Sequence, residues 1–454
     1  MFWTAQALGE AVDGCWRNGR GAAVSGVFTD TRRSGKGKLF CALAGEKFDA
    51  HDFLDKAIEA GAAALCVRKG TSVPDESIPV LEVADTLCAY QALAKFRRAS
   101  LPELKTIGVT GSVGKTSVKE MLRAVFSAVA GEENVLATEG NTNNHVGVPQ
   151  NLLKLEENHR YAILEMGMNH RGEILPLTLM TGPDAAVINS IAPCHVENLG
   201  SLEGIAIEKG DIFQGLSSGG TAVIPYGLPQ TELLIRAAGN RRICFFGTGD
   251  ACDVKARYRG GKMDGSCFDL TFRDAGTFTV NWSLSGCHQA VNAAAAAAAA
   301  WSLGVAPETI CAALPRTVLP GMRSKITRAG EITYINDAYN ANPASMAAAL
   351  DYLGEFADPG HLILLLGAML ELGDVSLSYH ENLLVSARKR FPGARIFAFG
   401  RPFAPAAEKL GVPFYEHPAD FEKILAETIV PGDIVFAKGS RGIGVEKALP
   451  QEAR

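Results

Sequence analysis

The chain lacks the features that would place it in a membrane, on nucleic acid or outside the cell. No window reaches the roughly 18 uninterrupted apolar residues that a spanning helix needs. The N-terminal stretch MFWTAQALGEAVDG has no basic segment followed by an apolar run, so no secretory leader is expected and a cytoplasmic location is. Charge of one sign is not in excess. Lys and Arg total 44 against 49 Asp and Glu, a net of −5, which argues against nucleic acid or an anionic membrane as partner and leaves anionic ligands to local sites. The 10 cysteines include no C-x-x-C pair and sit in apolar settings such as AALCV and RRICFF. Neither a disulfide framework nor a zinc site is expected from that spacing, and the thiols read as small reduced core residues.

What is present is ordinary globular composition, 47% hydrophobic and 20% charged, over 454 residues. At roughly 100 to 200 residues per domain, that length predicts about three domains. The first stretch, 1–99, alternates short β-like runs (AAVSGVFTD, KLFCALAG, AALCV) with helical segments (DFLDKAIEAGA, TLCAYQALAKFRRAS) and reads as an α/β unit. From 100 to 318, buried strands (TIGVT, YAILEMG, DAAVINS, TAVIPY) alternate with helices, the pattern of a parallel sheet with crossover helices. Two-residue alternation in SCFDLTFRD and GTFTVNW predicts an antiparallel insertion there, and HQAVNAAAAAAAAWSLG predicts a helix because alanine is the best helix former. LPGMRS marks a boundary near 319, and 319–454 reads as a second doubly wound, Rossmann-like unit without a phosphate loop of its own. Three α/β domains in series is the expected architecture.

The strongest local signal is Thr110-Gly111-Ser112-Val113-Gly114-Lys115-Thr116-Ser117, between the strand TIGVT and a helical segment. Phosphates need several backbone N–H groups converging on them, and glycine permits both the close approach and the unusual dihedrals. Lys115 offers charge to the β and γ phosphates, and Thr116 offers a hydroxyl to a bridging Mg²⁺. Val109 stands where the longer phosphate-loop pattern has glycine, so the match is to the shorter G-x-x-G-K-T. Such a loop alone does not choose between a switch GTPase, a kinase and a ligase. Glu165 and His195 each follow a strand, at the carboxyl edge where parallel sheets place functional groups. They would suit a divalent cation, while a salt-bridge carboxylate and a surface histidine remain the plainer readings. GNTNNHVGVP adds amide donors and acceptors nearby, or is simply a turn.

Eight ordered segments, TDTR, LFCALAGEKFDAHDF, TGSVGKTSVKEM, GNTNNHVGVP, ILEMGMNHRGEI, NDAYNANPASM, LGAMLELG and KGSR, together resemble the Mur ligases, the ATP-dependent amide ligases of peptidoglycan precursor synthesis. The resemblance spans nearly the whole chain. NDAYNANP with GMNHRGEI matches the branch whose substrates are UDP-MurNAc-tripeptide and D-Ala-D-Ala. It implies that Asp30, Thr31, Arg32, Lys47, Asp49 and His51 grip the UDP-sugar end. It assigns Thr110 to Ser117, Asn292, Arg323 and Asp337 to ATP, and Asn143, Asn144, Asn340 and Asn342 to substrate. Thr116, Glu165, His195 and a carbamylated Lys209 are the implied holders of Mg²⁺, and Lys115, Lys209 and His195 the implied catalytic set. The expected partners are these substrates alone, with no nucleic acid and no membrane span, and a monomer is the expected state.

Two departures matter. Gln289 replaces an asparagine common in the family, which leaves its hydrogen-bond reach open, and Val113 replaces a small residue while keeping its backbone N–H. The implied chemistry is activation of a carboxylate by ATP as an acyl phosphate, followed by attack of the dipeptide amine. A phosphate-loop regulatory NTPase is the rival from another class, but it has no use for two added substrate domains.

Overall fold

Strand Lys105–Thr110 is buried along nearly its full length, Ile107 and Val109 facing one core and Gly108 packing towards Met166 and Ile212 on the other side. Burial on both faces is what a parallel strand between helical layers requires, and it explains why such strands read as apolar runs. A computed structural model, describing residues 3–45 and 48–454, places this strand inside a sheet of nine. Tyr161–Glu165 lies on one side of it and Ala185–Ile188 on the other, both parallel to it. Val135–Ala137, Thr221–Pro225 and Arg242–Gly247 extend the parallel part.

Val254–Lys262, Gly265–Phe272 and Gly276–Trp282 form the expected antiparallel segment. It is continuous with the central sheet, because Val254–Lys262 pairs in parallel with Arg242–Gly247. The alanine run forms helix Cys287–Ser302, and Ala293 to Ala300 are all fully buried. Side chains this small let the helix lie close to both the sheet and helix Lys115–Ala130, with which it shares one core.

A five-stranded sheet holds Cys15–Trp16, Val80–Val83, Ala64–Arg68, Leu39–Cys41 and Val27–Phe28 in that order, parallel except at its first pair. A six-stranded sheet orders Lys325–Ala329, Ile332–Asn336, Ile434–Lys438, Leu362–Gly367, Arg395–Phe399 and Phe414–Tyr415. Its first pair is an antiparallel hairpin and the others are parallel. The mixed α/β class is therefore as expected. Edge strands of two or three residues, such as Cys15–Trp16 and Val135–Ala137, carry too little periodicity to be seen in sequence. No helix among the described residues is long and apolar enough to cross a membrane.

Candidate active site between the central and C-terminal sheets

The phosphate loop leaves the carboxyl end of Lys105–Thr110, and the neighbouring strands deliver Glu165 on one side and Asn189 on the other. Successive strands lie on opposite sides of the loop strand, so a crevice opens at the switch in strand order, where open α/β sheets bind ligands. Gly111 and Gly114 have φ of 152° and 80°. A Cβ on Gly114 would lie 2.2 Å from Asn189 Nδ2 and 2.5 Å from Asn292 Oδ1, so only glycine fits. Helix Lys115–Ala130 starts there with no capping side chain and no acidic residue in its first turn, which leaves its first N–H groups for an anion.

The segment after Ala185–Ile188 clamps the loop. Ser112 donates its N–H to the Ser190 carbonyl at 2.9 Å, and Val113 donates to Ser190 Oγ at 2.9 Å. Asn189 Nδ2 donates to the Val113 carbonyl and to Asn292 Oδ1, and Asn292 Nδ2 donates to Gln289 Oε1 at 3.1 Å. Gln289 thus reaches Asn292 despite the substitution, and Val113 joins the clamp through its backbone alone.

Lys115 Nζ donates to the Gly111 carbonyl at 2.7 Å, curled over the loop. Thr116 Oγ1 donates to Glu165 Oε2 at 2.9 Å, and the other Glu165 oxygen accepts from Asn143 Nδ2 at 2.9 Å. The Glu165 backbone N–H donates to Thr138 Oγ1, so a carboxylate only 3% exposed is fixed at both ends. Asn144 is occupied differently: its Oδ1 accepts from the N–H groups of Val146 and Gly147 and starts a helical turn.

The C-terminal sheet faces this crevice with three loops at strand carboxyl ends. Arg323 crosses to donate to Thr116 Oγ1 at 2.9 Å while its guanidinium stacks 3.9 Å from the Tyr339 ring centre. Tyr339 in turn donates its hydroxyl to Asn141 Oδ1. Asp337 Oδ2 pairs with Lys438 Nζ at 2.6 Å, and its Oδ1 accepts from the Ser324 N–H. Lys438 also donates to the Asn340 carbonyl, and Asn342 caps helix Pro343–Leu353 in a capping box with Ser345. These groups, with Glu371 and Arg441, enclose a cavity of about 450 Å³ against Ser112 to Thr116, Asn143, Glu165 and His195.

Lys209 lies on helix Leu202–Gly210, 2% exposed, and makes no hydrogen bond or ion pair among the described residues. Burial, and the charge of Lys115, pull its amine down to about 8. The adjacent Glu208 is fixed, accepting from the N–H groups of Gly172, Glu173 and Ile174, which anchors the GMNHRGEI loop to the same helix.

The N-terminal residues implied for the UDP end are distributed along their sheet's exposed margin. Asp30 pairs with Arg32 at 2.8 Å and lies near Arg33. Asp49 accepts from His51 Nδ1 at 2.5 Å and from Arg68 at 2.6 Å, and His51 Nε2 accepts from the Arg68 N–H. Lys47 lies outside the described residues. Asn189, Ser190, Glu371 and Lys438 were not singled out from sequence. Each stands at or just after the carboxyl end of a strand, and Glu371 and Lys438 also fall within the segments LGAMLELG and KGSR, which are the signals that point to them.

Fold and site define a phosphate-loop enzyme that binds a nucleotide against a second α/β domain. Residues 109–300 match the Mur ligase middle domain, and residues 322–441 match the family described as Mur ligase, glutamate ligase domain. UDP-N-acetylmuramoyl-tripeptide–D-alanyl-D-alanine ligase of Bacillus subtilis is 37% identical, over 98% of this chain and 97% of that one. A crystal structure of MurF from Acinetobacter baumannii superposes with a TM-score of 0.91 at 33% identity, covering 98% of this chain and 97% of that chain. MurF ligase from Thermotoga maritima in complex with ADP is similar at a TM-score of 0.81 and 25% identity, over 93% and 95% of the two chains. The chain belongs to the Mur ligase family of ATP-dependent ligases.

Proposed function

We propose that this chain joins D-Ala-D-Ala to UDP-MurNAc-tripeptide at the expense of ATP, giving the pentapeptide precursor of peptidoglycan, and that it does so in the cytoplasm as a monomer. The observation that carries the reading is Thr116, whose hydroxyl is held by Glu165 of the central sheet and by Arg323 from the segment that leads into the C-terminal one. Phosphoryl transfer is mostly positioning and charge neutralisation, and a site assembled from two domains supplies both on closure. In this reading 1–99 holds the UDP-sugar, 100–318 holds ATP and 319–454 brings the amine.

The tripeptide carboxylate is a poor electrophile at neutral pH. Its attack on the γ phosphorus, with ADP leaving, gives an acyl phosphate, and the amine of D-Ala-D-Ala then displaces inorganic phosphate. Lys115, the first N–H groups of helix Lys115–Ala130 and Arg323 neutralise the transferring group. Asp337 and the amides of Asn340 and Asn342 stand at the end of Ile332–Asn336, on the side where the amine must enter. No protein cage of three acidic, His or Cys groups exists among the described residues. Mg²⁺ is generally held by one or two carboxylates together with substrate phosphates. Thr116 and Glu165, already in contact, would hold one ion, and His195 with a carbamylated Lys209 a second. When bound, such ions neutralise phosphate charge.

Phosphate release measured with and without each substrate tests the reading. Release should require both UDP-MurNAc-tripeptide and D-Ala-D-Ala, with free D-Ala much poorer, because unpaired buried groups cost about 1–3 kcal/mol each. Equal rates with D-Ala, or efficient use of UDP-MurNAc-dipeptide with a diamino acid, would overturn it.

A further inference from the structure

His195 and Glu371 come from different domains and meet. The carboxylate of Glu371, in the loop after Leu362–Gly367, contacts Nδ1 of His195, which lies in the loop after Ala185–Ile188. That buried ring nitrogen has no formed hydrogen bond among the described residues, and the Glu371 carboxylate is the acceptor it meets. Both residues sit in the left-handed region, φ 51° for His195 and 62° for Glu371, where side chains other than glycine, asparagine and aspartate are uncommon. The Glu371 loop rests on the short helix that His195 begins, since a Cβ on Gly373 would lie 3.6 Å from Glu197. Glu371 is half exposed, so core packing does not explain its strained backbone.

We propose that Glu371 is a positioning residue for His195: it takes the Nδ1 proton, which leaves Nε2 with its lone pair towards the cavity as the nitrogen that holds a divalent cation. Histidine ligands generally donate their other ring N–H to a carboxylate or carbonyl, which fixes tautomer and orientation. Here the carboxylate belongs to the domain that delivers the amine. Closure of that domain therefore completes the cation site, and the chemistry is not fully equipped until the acceptor domain has docked. The inference rests on His195 being a cation ligand.

The test is Mn²⁺ binding to the full chain at saturating ADP, followed by electron paramagnetic resonance, alongside thermal melts and the Mg²⁺ dependence of ligase activity. Glu371→Gly removes the carboxylate and relaxes the left-handed backbone, so its melting temperature should not fall. Mn²⁺ affinity at the site lost in His195→Ala should drop about 10- to 100-fold, with the Mg²⁺ half-saturation raised to match. Should Glu371→Gly melt well below the parent, Glu371→Gln carries the test, with several-fold weaker Mn²⁺ binding at unchanged stability. If His195→Ala loses a Mn²⁺ site and both Glu371 variants keep it at parental affinity, Glu371 has no hold on the ligand and the proposal is wrong. If His195→Ala itself binds Mn²⁺ like the parent, the cation reading of His195 fails and takes this inference with it.

Discussion

On the proposed reading, two regions of the molecule hold phosphate-bearing ligands in opposite ways. Around the central loop the groups that act are shielded from water: Glu165 is held through both oxygens and its backbone, and Lys209 is buried with no hydrogen-bond partner among the described residues. Along the N-terminal sheet the charged residues are exposed and satisfy one another, as Arg32 does with Asp30. Arg32 is 88% exposed, so that pairing is screened and easily exchanged for a ligand phosphate. On that reading, the difference assigns rate and affinity to different domains. Buried, preorganised groups lower a barrier because they need no reorganisation when charge develops. Exposed pairs hold a substrate handle and contribute little more. Substitutions in the two regions should therefore separate kcat from KM.

The largest effect should follow Lys115→Ala. The ammonium lies over the loop and contributes nothing to the core, so the fold and melting temperature should be kept while kcat drops by about 10³-fold or more, the scale of losing a charge donor to a transferring phosphoryl group. Single-turnover phosphate release checks this. Turnover at the parental rate would mean that the loop is not the ATP site and that the contrast between the regions is misplaced.

Lys209→Ala comes next. An amine lowered to about 8 is partly neutral near neutral pH, and only the neutral form adds CO₂ to become a carbamate. Loss of that ligand should cost about 100-fold in kcat, with partial rescue by short carboxylic acids that replace the missing oxygens. In the parent, a ¹³CO₂-derived carbamate signal should grow as pH rises through about 8 and fade below it. A variant with full activity, or one that no small acid restores, would remove Lys209 from the groups that act.

How much of this was legible in sequence follows from how local each feature is. The loop Thr110 to Ser117 announces itself because strand, glycines, lysine and helix are contiguous. The alanine helix was readable for the same reason. Thr116 and Arg323 are 207 residues apart, and Asn189 and Asn292 are 103 apart, so no spacing rule could join them. Arg323 was named only through the family resemblance, and Asn189 was missed because it looks like the end of any strand. The Glu371 contact with His195 is further out of reach, since it needs two left-handed turns from separate sheets to coincide.

His51→Ala should act on stability more than on rate. The ring is 7% exposed and is used on both sides, by Asp49 and by the Arg68 N–H, so its removal loses two hydrogen bonds to part-exposed partners that water can reach and should cost about 0.5–1.5 kcal/mol in denaturant melts. Burial alone would raise the Asp49 carboxyl, but hydrogen bonds from the His51 backbone and ring, with the charge of Arg68, outweigh it and leave the value below 3.8. A depressed carboxylate stabilises the fold above its unfolded value and loses that contribution as pH falls through the folded one. The gap in stability between parent and His51→Ala should then narrow in strong acid. A constant gap would mean that His51 acts through packing alone.

The smallest effect, and the sharpest test of the contrast, belongs to Arg32→Ala. Arg32 touches Asp30 and solvent, and an exposed ion pair of this kind contributes almost nothing to folding, so the melting temperature should not change. The same side chain can turn its planar fork to a diphosphate, a bidentate use of charge that lysine reproduces poorly. Removing it should raise KM for the UDP-linked substrate by about tenfold or less while kcat and KM for ATP stay as they are, because a handle far from the reacting carboxylate binds ground state and transition state alike. Arg32→Lys should recover only part of the affinity, and added salt should weaken the parent's binding more than the variant's. A fall in kcat with KM unchanged would place Arg32 in the machinery of the reaction, and the division of rate and affinity between the two regions would not hold.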